Sequence, residues 1–196
     1  RSSVAKADIL DIDITEAENM PGVEAVITGK DVPNNSYGFY PDQPVLADKD
    51  IRFVGQPIVA VAAVDEDTAI KALTKVKLSL DIKEAVFDPV EAMKPEAPLV
   101  RPEGNTWTFD DILPYRKIRV GDIQKGFDDA DYIVESDYST PAQEHAMIEN
   151  NCSLAEIDES GRLNIYTESQ GVFFHLGHLT SILQIPMNKI NMIGGT

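Results

Sequence analysis

Cysteine is almost absent from this chain: Cys152 is the only one among 196 residues. No disulfide can form within it, and a reducing compartment, the cytoplasm, is the expected setting. Basic residues are scarce too, 17 Lys and Arg against 33 Asp and Glu, for a net charge of −16. That balance excludes a nucleic-acid binder, which needs a basic face to meet phosphates, and equally a dock on anionic lipid. No apolar run approaches the roughly 20 residues of a membrane-spanning helix. The opening "RSSVAKADIL" has neither the apolar segment of a signal peptide nor an initiator Met, and the chain closes on "KINMIGGT"; both ends are expected to be cut. Also missing are a phosphate-cradling Gly-x-Gly-x-x-Gly, a P-loop, a Gly-x-Ser-x-Gly elbow and any signature around Cys152. No complete active site is legible, so no catalytic residue and no metal ligand is assigned.

What is present reads as globular. Hydrophobic residues make up 43% and charged residues 26%, in a length that suits one ordinary domain or two small ones. "IRFVGQPIVAVAAV" (51–64) is a nearly continuous β-branched run, which predicts a strand buried on both faces. "DEDTAIKALTK" follows, with Asp65 or Asp67 as the cap of a helix whose apolar face is Ala69, Ile70, Leu73 and Val76. "VKLSLDIK" then alternates strictly, as does "DILDIDIT" upstream, and "MPGVEAVITGKDVP" reads as turn, strand, turn. Residues 1–100 are therefore expected to form an α+β module. Residues 101–121 are expected to be an extended connector within a proline-rich stretch (84–121), where Trp107, Phe109, Ile112, Leu113 and Tyr115 should lie against some other surface. From 122 the pattern gives a short helix leading into a strand, then a hairpin turning at Glu159–Ser160–Gly161. A helix with Val172, Phe173, Leu176, Leu179 and Leu183 on one face comes next, ended by Pro186, and then a last strand.

Few constellations could carry chemistry. His175 and His178 are three apart on a helix, but no further ligand is placed beside them. His145 and Glu149 are four apart, an acid–base pair or a structural hydrogen bond. Gln170–Gly171 and Gly194–Gly195 both follow strands, at the positions where α/β architectures gather ligands. A neutral amide can donate and accept, and glycines expose backbone N–H groups. On residue chemistry alone these are either two ordinary loops or one ligand-facing pair.

Four segments in order, "VGQPIVAVAAVDEDTAIKAL", "RVGDIQKGFDDADYIVESDYSTPAQEHAMIENN", "LNIYTESQG" and "KINMIGGT", resemble the large subunit of the xanthine dehydrogenase and aldehyde oxidase family, the molybdenum hydroxylases. The likeness covers the whole chain. It implies an α+β fold: an α/β-hammerhead domain (1–100, lacking its first strand), the connector 101–121, and the truncated beginning of a mixed α/β molybdopterin-binding domain (122–196). "DIKEAVFD" departs from the hammerhead pattern. The resemblance implies that Gln170 hydrogen-bonds a cofactor oxygen and that Gly194 and Gly195 open the cofactor loop, while His145 and Glu149 are structural. The implied cofactor is molybdopterin with molybdenum, in its plain or cytosine dinucleotide form, with 2Fe-2S and FAD on partner subunits or domains. The implied reaction hydroxylates an aldehyde or a purine-like N-heterocycle with water as oxygen source. The general-base glutamate of the family lies outside these residues, so the chain alone is expected to bind no cofactor and to be inactive, and its exposed strand edges would favour self-association. The alternative reading is a non-catalytic binding or scaffold module sharing the fold.

Overall fold

Alternating apolar residues place β1 (Ala7–Asp13) at the centre of a three-stranded antiparallel sheet, between β3 (Asp50–Ile51) and β5 (Lys77–Ile82). The alternation of β1 breaks at a bulge between Ile9 and Asp11, so Ile9 and Ile12 both pack inward while Leu10 points to water. A second sheet pairs β2 (Val23–Thr28) with β4 (Val59–Ala63), again antiparallel. Two cores result: Ala7, Ala47, Ile51 and Ile58 in one, and Ala17, Val26 and Ala72 in the other, with Val59 packed against both. The second is covered by two helices, α1 (Thr15–Glu18) and α2 (Glu66–Leu73), the latter started by Asp65, whose carboxylate accepts from the Thr68 N–H at 2.7 Å.

The computed structural model describes every residue except 39–41, 107–117, 119, 149 and 196. It resolves two compact units, Arg1–Asn105 with Asn151–Thr196, and Thr106–Asn150. In the first unit, Asp88 caps a one-turn helix, α3 (Pro89–Ala92), inside the proline-rich stretch; the Asp-Pro pair at 88–89 is the signal that was available. The second unit carries α4 (Ile123–Asp128), capped by Asp122. The strand expected after α4 is not formed: among the described residues of that unit no second strand offers its N–H and C=O groups partners, and Tyr132 is 92% exposed. The expected burial of Trp107 to Tyr115 lies outside the described residues, as does the Glu149 half of the His145 pair.

A third sheet completes the first unit. Its strands are β6 (Ser153–Ile157), β7 (Leu163–Glu168) and β8 (Ile190–Gly195), in that order, β6 antiparallel and β8 parallel to β7. The β6–β7 hairpin turns as expected. Asp158 accepts from the N–H groups of Ser160 and Arg162, and Gly161 takes the left-handed φ of +75° that the turn requires. The parallel pair needs a crossover, and α5 (Val172–Leu183) supplies it.

Three further expectations are corrected. Residues 51–64 are two strands of different sheets rather than one buried strand. Gly55 turns left-handed at φ +87°, and the buried Gln56 carboxamide accepts the Arg52 N–H at 2.7 Å, taking it out of the ladder. The buried residue of α2 is Ala72, which packs with Ala17 and Val26, while Ile70 and Leu73 stay exposed. On α5, Phe173 is 84% exposed, off the face that carries Leu176 and Leu179, and the helix ends at Gln184 in the left-handed conformation before Pro186 is reached.

Two features hold the long loop between β2 and β3. Asn35 acts as a surrogate strand, its Nδ2 donating to the Leu46 carbonyl at 2.7 Å and its Oδ1 accepting the Leu46 N–H at 3.0 Å. Gly29 makes room for that: a Cβ there would lie 2.5 Å from Asn35 Nδ2 and 2.6 Å from the Leu46 oxygen. At the other end Asp50 accepts from Arg52 and from Lys6, whose ammonium also reaches the Val100 carbonyl. Burial pushes the Asp50 carboxyl up, but the bonds from Arg52 and then Lys6 outweigh it and hold it below its usual 3.8.

Gly29→Ala is expected to destabilise the fold by about 1–3 kcal/mol, since backbone must move, read as a fall in Tm of about 2–4 °C per kcal/mol. Because Asp50 titrates lower folded than unfolded, its contribution is present above the unfolded value of 3.8 and is lost as pH falls through the lower folded value. Asp50→Asn should therefore be less stable than the parent at pH 7, and the gap should narrow as denaturant melts are taken down through pH 4 to pH 3.

Candidate functional site

Parallel pairing decides what meets at one end of the third sheet. The register sets Thr167 opposite Gly194 and Glu168 opposite Gly195. Gln170, two residues past the last paired residue of β7, therefore stands at the same strand end as the two glycines. The sequence candidates Gln170, Gly194 and Gly195 are thus brought together on the carboxyl edge of the sheet. Gln170 is exposed, and its carboxamide has no hydrogen-bond partner among the described residues.

The glycines differ in what they do there. A Cβ on Gly194 would lie 3.2 Å from Val172 Cγ2, so the bare backbone lets the first residue of α5 close on β8. A Cβ on Gly195 would meet only Glu168 Cγ, at 3.9 Å, so this last residue presents an open backbone surface. Between the strands, α5 begins with Gly171 as its cap, without a capping side chain. Its first-turn N–H groups lack partners inside the helix and carry the positive end of its dipole. Residues 163–188 contain neither Lys nor Arg. The site can therefore recognise oxygen atoms through neutral donors, one carboxamide and several backbone amides, without a full positive charge.

The turn that carries Gln170 has partners that its sequence does not announce. Ser169 Oγ accepts the Gly171 N–H at 3.0 Å and lies 2.9 Å from His175 Nδ1, while the His175 N–H donates to the Gly171 carbonyl at 3.1 Å. The only available signal was a serine two residues before a helix-capping glycine, a common local side-chain-to-backbone pattern. His178 faces elsewhere, its ring edge-on to Tyr37 at 6.3 Å between centroids. The two histidines therefore diverge, and among the described residues no three His, Cys, Asp or Glu side chains gather as metal ligands. Cys152 is a free, exposed thiol. Among the described residues no helix is long and apolar enough to cross a membrane.

The far end of α5 is fixed from the first module. The Asn34 N–H donates to the Ile182 carbonyl at 3.0 Å, and Asn34 Nδ2 donates to the Ser181 carbonyl and hydroxyl at 3.2 and 2.9 Å. These are carbonyls a helix leaves without partners at its C-terminus. Asn34 thus serves as a C-cap supplied by a distant loop.

Residues 1–84 match the family model for the α/β-hammerhead domain of aldehyde oxidase and xanthine dehydrogenase, and residues 108–195 match that for a molybdopterin cofactor-binding domain. A probable xanthine dehydrogenase subunit of Bacillus subtilis is 34% identical over 195 residues, 98% of this chain and 25% of that protein. The nicotinate dehydrogenase large molybdopterin subunit of Eubacterium barkeri is 28% identical over 198 residues, 100% of this chain and 45% of that protein. Among solved structures, the aldehyde oxidoreductase from Desulfovibrio gigas superposes with a TM-score of 0.81 at 28% identity, covering 99% of this chain and 22% of that one. The chain spans less than half the length of each of these three.

Asn34→Ala removes two side-chain bonds to α5 and leaves the backbone one. It should cost about 1 kcal/mol and speed hydrogen exchange of the amides that follow Ser181, with the β6–β7 hairpin unchanged. Uniform acceleration across the chain would instead mean that α5 is not held locally.

Proposed function

Because the chain belongs to the xanthine dehydrogenase and aldehyde oxidase family of molybdopterin-dependent oxidoreductases, we propose that the carboxyl edge of β7 and β8 is one wall of a molybdopterin pocket in a cytoplasmic hydroxylase. The observation that supports this is the parallel register that ends β7 and β8 side by side at Glu168, two residues before Gln170, and Gly195. The donor set fits such a group: an unpartnered carboxamide, free amides at the start of α5, and a glycine pair whose second member offers open backbone. We divide the chain into a hammerhead domain at 1–100, a connector at 101–121 and the opening of the cofactor domain at 122–196; the matched span 1–84 lies within the first of these, while the span 108–195 begins inside the connector.

When bound, the molybdenum cofactor supplies the two-electron oxidation of a substrate C–H bond, with water as the source of oxygen. The residues of this chain bind and orient. Gln170 Nε2 donates to a cofactor oxygen, the first-turn amides of α5 add neutral donors, and Gly195 lets the cofactor lie close to backbone. Neutral donors hold charge in place without fixing a counter-ion that would have to be neutralised as charge shifts. The relatives' names include xanthine, nicotinate and aldehyde, so the substrate class is an aldehyde or an N-heterocycle. 2Fe-2S and flavin groups on partner domains or subunits would accept the electrons. The cofactor is taken in its plain or cytosine dinucleotide form.

Two substitutions in the full-length protein test this. Gln170→Ala should lower kcat/KM by about 10²–10³-fold, the range for loss of one placed donor. Gly194→Leu should expel the pterin, measured by its fluorescence after oxidation and by molybdenum content, because the added side chain collides with Val172. Full pterin content together with undiminished turnover in both variants would overturn the proposal.

A further inference from the structure

We propose that Ser169 and His175 are positioning residues that hold Gln170 in register with Gly194 and Gly195; this rests on reading Gln170 as a cofactor-facing side chain. Gln170 sits at the apex of a turn closed on both sides. Its preceding residue, Ser169, accepts the N–H of its following residue, Gly171, at 3.0 Å. The same hydroxyl meets His175 Nδ1 at 2.9 Å, and His175 in turn begins α5 by donating its N–H to the Gly171 carbonyl. The bonds thus make a ring of Ser169, Gly171 and His175, with Gln170 projecting from it.

Ser169 Oγ accepts from Gly171 and keeps both its O–H and a second lone pair, so it can bond His175 Nδ1 in either imidazole tautomer. The hydroxyl is thereby used twice in holding main chain and helix. The clamp has a specific consequence for an exposed, unpartnered carboxamide. Such a side chain would otherwise sample many rotamers on a mobile turn, and each misplacement removes a donor from the position where it acts.

The test uses the full-length holoenzyme and a double-mutant cycle. Ser169→Ala should reduce kcat/KM by about five- to tenfold, the effect of one hydrogen bond. His175→Phe should do the same, while Ser169→Thr, which keeps the hydroxyl, and His175→Asn, whose carboxamide offers both an acceptor oxygen and a donor nitrogen, should stay within about twofold. In a Gln170→Ala background Ser169→Ala should change kcat/KM by less than about twofold, because the residue it positions is gone. In the cofactor-free protein, Ser169→Ala should speed exchange of the Gly171 amide by about tenfold. Full additivity of Ser169→Ala with Gln170→Ala, or an unchanged Gly171 exchange rate, overturns the positioning role and leaves the cofactor reading standing. A Gln170→Ala holoenzyme with normal turnover overturns both.

Discussion

One register constrains everything functional in this chain: β8 lies parallel to β7 with Gly194 against Thr167. A shift of one residue would turn every side chain of β8 to the other face of the sheet. It would also bring a side-chain-bearing residue, Ile193, toward the first turn of α5, where only glycine leaves room for Val172. Several contacts keep the register. Asn191 donates to Asn164 at 3.1 Å between directly paired residues, and Ile165 and Ile190 are buried. On the opposite side of β7, Ser153 and Thr167 are joined through their hydroxyls at 2.7 Å. Tyr166 donates to Glu156, whose carboxylate raises the phenol's pKa.

A second constraint reaches the site from far away in sequence. Gly29 is bare so that Asn35 can bond both backbone groups of Leu46; that ordering holds the loop from which Asn34 extends to Ser181 and Ile182. The chain of causes runs from one missing methyl group, through a loop, to the C-terminus of the helix whose N-terminus faces Gln170. A helix held at its C-terminal end by a distant loop and at its N-terminal end by Ser169 and Val172 is a rigid spacer. Rigidity matters where recognition depends on neutral donors, because their hydrogen bonds weaken steeply with angle and distance.

Local signals in the sequence were legible wherever local chemistry decides the outcome. The Asp65 cap, the Glu159–Ser160–Gly161 turn and the strand at 190–195 all rest on side chains within a few residues of each other. Segments failed where the outcome depends on neighbours. The run 51–64 reads as one strand because its composition is uniform, yet Gly55 and the buried Gln56 split it between two sheets. Phe173 fits the helical stripe of α5 by spacing and still lies in water. Of the site, Gln170 and the glycines could be picked out as strand-end positions, and the resemblance implied that they share one cofactor wall; the parallel pairing that ends β7 and β8 side by side was not legible, since Gly194 lies 24 positions after Gln170. Ser169 and His175 were missed because a serine and a histidine six apart form no recognised pattern.

The distribution of apolar surface bears on how the wall of the site is kept. Within the second unit Val120, Tyr132, Val134, Tyr138 and Ile148 remain largely in water, and in the first unit so does Phe173 at the start of α5. Single exposed apolar residues are ordinary, but many in one segment mark a surface suited to burial against protein. With a net charge of −16 spread along the chain, long-range repulsion between copies opposes indiscriminate association. The apolar residues supply attraction only at contact, where a complementary surface excludes water. Charge therefore sets a barrier, and shape at these side chains selects what crosses it.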